Sequence, residues 1–161
     1  GAMRSISPLM TDTTRFNRLP ALLLTGAGAI PFIGLVIAMS VMEPPTNATM
    51  ALWLQTYAAV ILSFLGGIRW GLEIARPAPS GAVLGLSVLP ALAGWAILPP
   101  AIILLPGPLW FLAYAGLFAL QLGWDLVSAR VPGWFKPLRA GVSIVVVASL
   151  VAAWSVQAFG L

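Results

Sequence analysis

Residues 50–74 read MALWLQTYAAVILSFLGGIRWGLEI. Crossing the hydrocarbon core of a bilayer takes roughly 20 predominantly apolar residues in helical form. This run is long enough, and its only charges, Arg69 and Glu73, fall in its last two turns. Turn signals bound it on both sides: Glu43-Pro44-Pro45 before it and Arg76-Pro77-Ala78-Pro79-Ser80-Gly81 after it. Outward from this run the same pattern recurs at 19–42, 82–98, 109–128 and 138–159. The sequence therefore predicts an all-α integral membrane protein, a bundle of five transmembrane helices. Pro90 is expected to bend the third span and Pro99-Pro100 to stop or kink it, with 101–105 extending it or lying in the interface.

Composition supports this reading. Hydrophobic residues make up 60% of the 161 residues and charged residues 7%, against roughly 25% charged in a soluble domain. One transmembrane domain over 19–161 follows a polar N-terminal segment, 1–18, in which Gly1-Ala2-Met3 reads as an expression scar. A signal peptide is not expected, because the first apolar stretch has the length of a full span.

There is no cysteine and no histidine. Thiolate catalysis and His- or Cys-ligated haem, zinc and iron–sulfur centres are thereby excluded, and neither a cofactor nor a metal site is expected. The formal charge of +4 does not point to nucleic acid, because the basic residues flank the apolar runs. With the N-terminus inside, all eight basic residues, from Arg4 to Arg139, fall on the inner side, and Glu43 is the one charge outside. That split follows the positive-inside rule and places the C-terminus outside. Trp53 and Trp110 fall near outer ends and Trp70 and Trp124 near inner ends, as aromatic belts require.

Candidate chemistry lies at the inner ends of the spans. Arg69 and Glu73 are four apart and share a helical face. Tyr114, Gln121, Asp125 and Ser128 form a polar stripe on the fourth span, and Arg139 and Ser143 are four apart on the fifth. Intramembrane charges turn towards partners or water. Arg69, Glu73, Asp125 and Arg139, with Gln121, are therefore expected to converge into one polar cluster, flanked by Tyr114, Trp70 and Trp124. It is expected to be a binding site, an ion gate, a structural ion-pair network or side chains snorkelling to the interface. Ser63, Gly67 and Gly71, widened by Gly66, form a small-residue face expected to pack on a neighbouring span or on a second copy. Gly26-Ala27-Gly28 lacks the βαβ context of a dinucleotide loop and reads as close helix packing beside a kink at Pro31.

The run YAAVILSFLGGIRWG at 57–71, Trp124-Asp125, and VPGWFKPLR at 131–139 together resemble an uncharacterised family, that of transmembrane protein sixty-nine, with its domain of unknown function numbered thirty-four twenty-nine. The resemblance covers about 19–159. It implies a small multispanning protein of the bacterial inner membrane, with mitochondrial inner-membrane relatives, and it supplies no activity.

Three functions follow as expectations. The first is binding or transport of a small solute, ion or lipid through the inner polar cluster. The second is a non-catalytic accessory or assembly factor of a larger, respiratory-type membrane complex. The third, a minor alternative, is an intramembrane enzyme acting on lipids, with Asp125 or Glu73 as base and arginines on a phosphate. Expected partners are membrane lipids and either a homo-oligomer or a larger complex.

Overall fold

The structure, a computed structural model, describes residues 18–160. Gly1-Ala2-Met3, Arg4 and Arg15 lie outside the described residues. Among the described residues five helices are long and apolar enough to cross a membrane: α1 (Arg18–Val41), α2 (Thr46–Ile74), α3 (Gly81–Leu104), α4 (Leu109–Val127) and α5 (Lys136–Phe159). No strand occurs among these residues. Short turns alternate the direction of successive helices. Arg18, Arg69, Arg76, Arg130, Lys136 and Arg139 consequently gather at one end of the bundle, the basic end.

The central element is α2, which packs against α1, α3 and α4, while α5 packs against α4 and α1. The core is the shared apolar seam of these helices, with Phe32, Leu54, Ala58, Leu62, Phe111, Phe118 and Leu150 buried in it. Large apolar side chains cover the outside, including Leu24, Phe64, Trp95, Ile103 and Val127. That distribution suits hydrocarbon as the surrounding medium.

Proline shapes two spans, each differently. In α1 the helix is interrupted at Gly28-Ala29 and resumes at Ile30. Pro31 lacks the N–H that would close the preceding turn. The Tyr57 hydroxyl of α2 donates to the Gly28 carbonyl at 2.8 Å, supplying a partner for a backbone group at the break. Phe32, just past the break, packs at a tilt against Tyr57 and meets Phe118 edge-on, at ring separations of 4.9 and 5.7 Å. The close glycine packing expected at Gly26-Ala27-Gly28 is not found. Among the described residues, a Cβ at Gly26 would meet nothing, and one at Gly28 would meet only its own helix.

In α3 the chain runs helically through Pro90 and does not stop at Pro99-Pro100. Both of those prolines have helical backbone angles, with φ of −59° and −64°. The missing donors are accommodated by widening into a π-helical stretch, Pro100–Leu104. The Leu105 N–H reaches back to the Pro100 carbonyl at 2.8 Å. The Trp110 indole N–H then donates to the Leu105 carbonyl at 2.7 Å, closing the end of the span.

Glycines let α2 and α3 approach closely. A Cβ on Gly66 would collide with the Ser87 carbonyl oxygen, and one on Gly94 would stand 3.3 Å from the Ala59 Cα. Of the two partners expected for the small-residue face, a neighbouring span or a second copy, the neighbouring span is not found among the described residues. Ser63, Gly67 and Gly71 are exposed, and nothing lies near a Cβ at either glycine. The reason is angular. At 100° per residue, Gly67 and Gly71 lie about 200° around the helix from Arg69, and Arg69 faces the core. Gly66 shares the inward stripe.

Gly66→Ala is therefore expected to destabilise the protein by about 1–3 kcal/mol through overpacking. Gly67→Ala is expected to be neutral or to gain up to about 1 kcal/mol in helix propensity. Thermal unfolding in detergent checks both, and equal losses at the two positions would contradict the packing described.

Candidate functional site

The basic end holds the polar residues that the apolar seam excludes. Asp125, on the buried stripe of α4, is 4% exposed, and Arg69 of α2 and Arg139 of α5 are 2% and 3% exposed. The Arg69 Nη1 donates to Asp125 Oδ1 at 2.9 Å, and the Gln121 amide donates to the same oxygen at 3.2 Å. The Arg139 Nε and Nη2 donate to Asp125 Oδ2 at 3.1 and 3.0 Å. The carboxylate thus accepts four hydrogen bonds, which fills the lone-pair sites of its two oxygens.

Both guanidiniums are further held. The Arg69 Nη2 donates to Ser128 Oγ at 2.9 Å, and its Cζ stands 3.6 Å from the Trp124 ring centroid. A planar cation over an indole face in a desolvated site is a favourable cation–π arrangement. The Arg139 Nη1 donates to Ser143 Oγ at 2.8 Å. Among the described residues, two guanidiniums against one carboxylate leave this group with one surplus positive charge.

Glu73 does not join it. The sequence reading expected one cluster of Arg69, Glu73, Asp125 and Arg139; the structure forms two groups. Glu73 is fully buried one turn beyond Arg69, under the α2–α3 turn. Its Oε1 accepts the Ser80 backbone N–H at 2.7 Å. The Arg130 Nε lies 2.6 Å from Oε2 in an ion pair without a hydrogen-bonding angle, and the Arg76 Nε lies 3.8 Å from Oε1. Arg69 is drawn sideways to α4 by Asp125 and Trp124, so Glu73 finds its cations in the loops instead. Ser128 joins the two groups, because its Oγ also accepts the Arg130 backbone N–H at 3.2 Å.

Arg130 was not singled out from the sequence. It lies past the end of α4, and only the path of the loop brings it to Glu73. The signal available was that a carboxylate inside the end of a span needs a partner from the same membrane side. Tyr114 and Trp70 are not part of the cluster either. Tyr114 is buried deeper in the bundle, where its hydroxyl donates to the Gly94 carbonyl at 2.9 Å and ties α4 to α3. Trp70 is exposed. Of the three flanking aromatics, Trp124 alone touches a charged group of the site.

Beside the arginines lies a crevice of about 260 Å³ between α1, α2 and α5, with Arg139 and Ser143 among its lining residues and otherwise mostly apolar walls, including Phe32, Ile61, Phe64 and Val146. A second crevice of about 310 Å³, between α3 and α4, meets Gln121 and Trp124 and is otherwise walled by Leu86, Leu89, Pro90, Ala93, Leu117 and Leu120.

Asp125→Asn is expected to destabilise the protein by about 3–5 kcal/mol, since it strands two buried guanidiniums. Arg76→Gln, in an exposed and long pair, is expected to change stability by less than about 1 kcal/mol. Unfolding followed by tryptophan fluorescence measures both; equal stability of Asp125→Asn and the unaltered protein would contradict the geometry.

Comparison with known proteins is consistent with this architecture. A family model described as "Protein of unknown function (DUF3429)" matches residues 17–155. Similar proteins include transmembrane protein 69 of Xenopus tropicalis, 35% identical over 143 residues, which are 82% of this chain and 52% of that protein. Transmembrane protein 69 of Mus musculus is 33% identical over 141 residues, 82% of this chain and 54% of that protein. The chain spans about half the length of these relatives. No solved structure matches it. The matched region takes in all or most of each of the five apolar helices, together with Arg69, Asp125 and Arg139, and the chain belongs to the DUF3429 family of multi-pass membrane proteins.

Proposed function

We propose that this protein binds an anionic ligand at the basic end of the bundle, with that end facing the cytoplasm and the protein resident in the bacterial inner membrane. The observation that carries the reading is the buried Arg69–Asp125–Arg139 group. Its carboxylate is saturated, while among the described residues its two guanidiniums retain N–H donors and one uncompensated positive charge. An unmatched buried charge is costly, and an anion that accepts from the remaining donors lowers that cost. Charge-assisted bonds of this kind are the stronger hydrogen bonds available.

Binding is favoured over passage by the depth profile. Among the described residues, Gln121 is the one polar side chain besides the Trp124 indole on the α3–α4 crevice, and further along α4 the Tyr114 hydroxyl is committed to a backbone carbonyl. A hydrated route past Gln121 towards Tyr114 has no polar lining to support it. Saturation of Asp125 likewise argues against its use as a general base, since an abstracted proton needs an accepting lone pair within reach.

The second reading, an accessory or assembly factor, is favoured by the exposed Ser63, Gly67 and Gly71 face, whose spacing lets another transmembrane helix approach closely.

Purification in mild detergent from native membranes, followed by native mass spectrometry, separates the two. An anionic ligand at one per chain, lost in Arg139→Gln, is expected. A stoichiometric protein partner with no such ligand would replace this reading with the second. Orientation is checked separately with C-terminal fusions. Alkaline phosphatase is expected to be active there and green fluorescent protein dark; the reverse pattern would invert the proposed sidedness.

A further inference from the structure

Resting on that reading, we infer that the anionic ligand is a phospholipid of the leaflet at the basic end, with one acyl chain in the crevice between α1, α2 and α5 and its phosphate on Arg139. The crevice has the polarity of a lipid. Its polar end is Arg139 and Ser143, near the start of α5. From there it runs past Val142 to Val146, Phe32 and Phe118, towards the middle of the bundle. The seven residue steps from Arg139 to Val146 span about 10 Å at helical rise. Leu24 and Phe64, which line it, are largely exposed on the outside of the bundle, so the crevice opens sideways to the bilayer.

The charge at its polar end is complementary to a phosphate. Arg139 has five N–H donors, of which three are engaged among the described residues, two by Asp125 and one by Ser143. The Arg18 Cζ of α1 stands 4.7 Å from the ring centroid of Trp134, whose chain neighbour Phe135 forms part of the crevice wall, so the basic end carries a further cation.

Which lipid enters is decided at the head. Hydrocarbon tails are as apolar as the crevice walls, so burying a chain there gains little over leaving it in the bilayer. The differential interaction is the charge-assisted hydrogen bonding to the phosphate, together with the net charge of the whole headgroup. Phosphatidylcholine offsets its phosphate with a trimethylammonium that the surplus positive charge repels, whereas phosphatidylglycerol does not.

The test uses the unaltered full chain in nanodiscs of mixed phosphatidylglycerol and phosphatidylcholine, each in turn carrying a diazirine on the acyl chain. Photolabelling is expected on Ile61, Phe64, Val142 and Val146, with phosphatidylglycerol favoured by about tenfold, the equivalent of one charge-assisted bond. Detergent-extracted protein is expected to retain phosphatidylglycerol, and Arg139→Gln and the crevice-filling Ile61→Trp are both expected to lose it. Labels spread evenly over the lipid-facing surface, or full retention by Ile61→Trp, would overturn the crevice assignment while leaving anion binding at Arg139 intact. Displacement of the lipid by inorganic phosphate alone would assign the site to a free anion and overturn the lipid. Equal labelling by the two lipids, with no effect of Arg139→Gln, would overturn both this inference and the anion-binding reading beneath it.

Discussion

The carboxylate of Asp125 sits where bulk water does not reach, and everything at the basic end is arranged around its ionised form. Four hydrogen bonds from three side chains on three helices replace the hydration it loses. Separately, Asp125, Arg69 and Arg139 would each be expensive inside a bilayer. Together they form a dense polar knot joining α2, α4 and α5. Helix association in lipid has no hydrophobic driving force and depends on packing and interhelical hydrogen bonds. A knot of this kind is therefore a principal directional tie among those helices.

That tie sets the rotation of α2, and the rotation sets much else. With Arg69 inward, Leu62, Gly66 and Glu73 are also inward. Gly66 is then pressed against the α3 backbone, and Glu73 is buried beneath the α2–α3 turn, where the Ser80 N–H and the Arg130 side chain meet it. The face bearing Ser63, Gly67 and Gly71 is left outside. On α5 the same constraint points Arg139 inward and brings Ser143 and Val146 with it, forming one wall of the crevice beside α1. Packing, loop placement and the candidate site thus follow from one buried carboxylate and the two cations it requires.

The five spans and the convergence of Arg69, Asp125, Gln121 and Arg139 were legible in the sequence, because the cost of burying charge leaves few arrangements. Their pairing partners were not all legible. Glu73 shares a face with Arg69, so the sequence suggested one cluster, but a choice among several arginines depends on loop geometry that no periodicity encodes. The glycine stripe left its partner open, a neighbouring span or a second copy, for a related reason. Spacing identifies faces of a helix but not which face turns inward, and the charges two residues away decide that here. Pro99-Pro100 shows a third limit. Whether a proline pair ends a helix or widens it into a π turn depends on whether an i−5 bond such as Leu105 to Pro100 can form.

The surplus positive charge links architecture to activity. A bundle held only for stability has no need of a second guanidinium on a carboxylate that one can neutralise, nor of placing that guanidinium on the wall of an apolar crevice. The central claim is that both arginines are energetically coupled to Asp125. It is tested most directly by double-mutant cycles in bilayer-reconstituted protein, pairing Asp125→Asn with Arg69→Gln and, separately, with Arg139→Gln. Coupling of about 1–3 kcal/mol in both cycles is expected for residues sharing one hydrogen-bonded network. Coupling near zero in both would mean that the arginines reach separately for headgroups and that the shared buried knot does not exist.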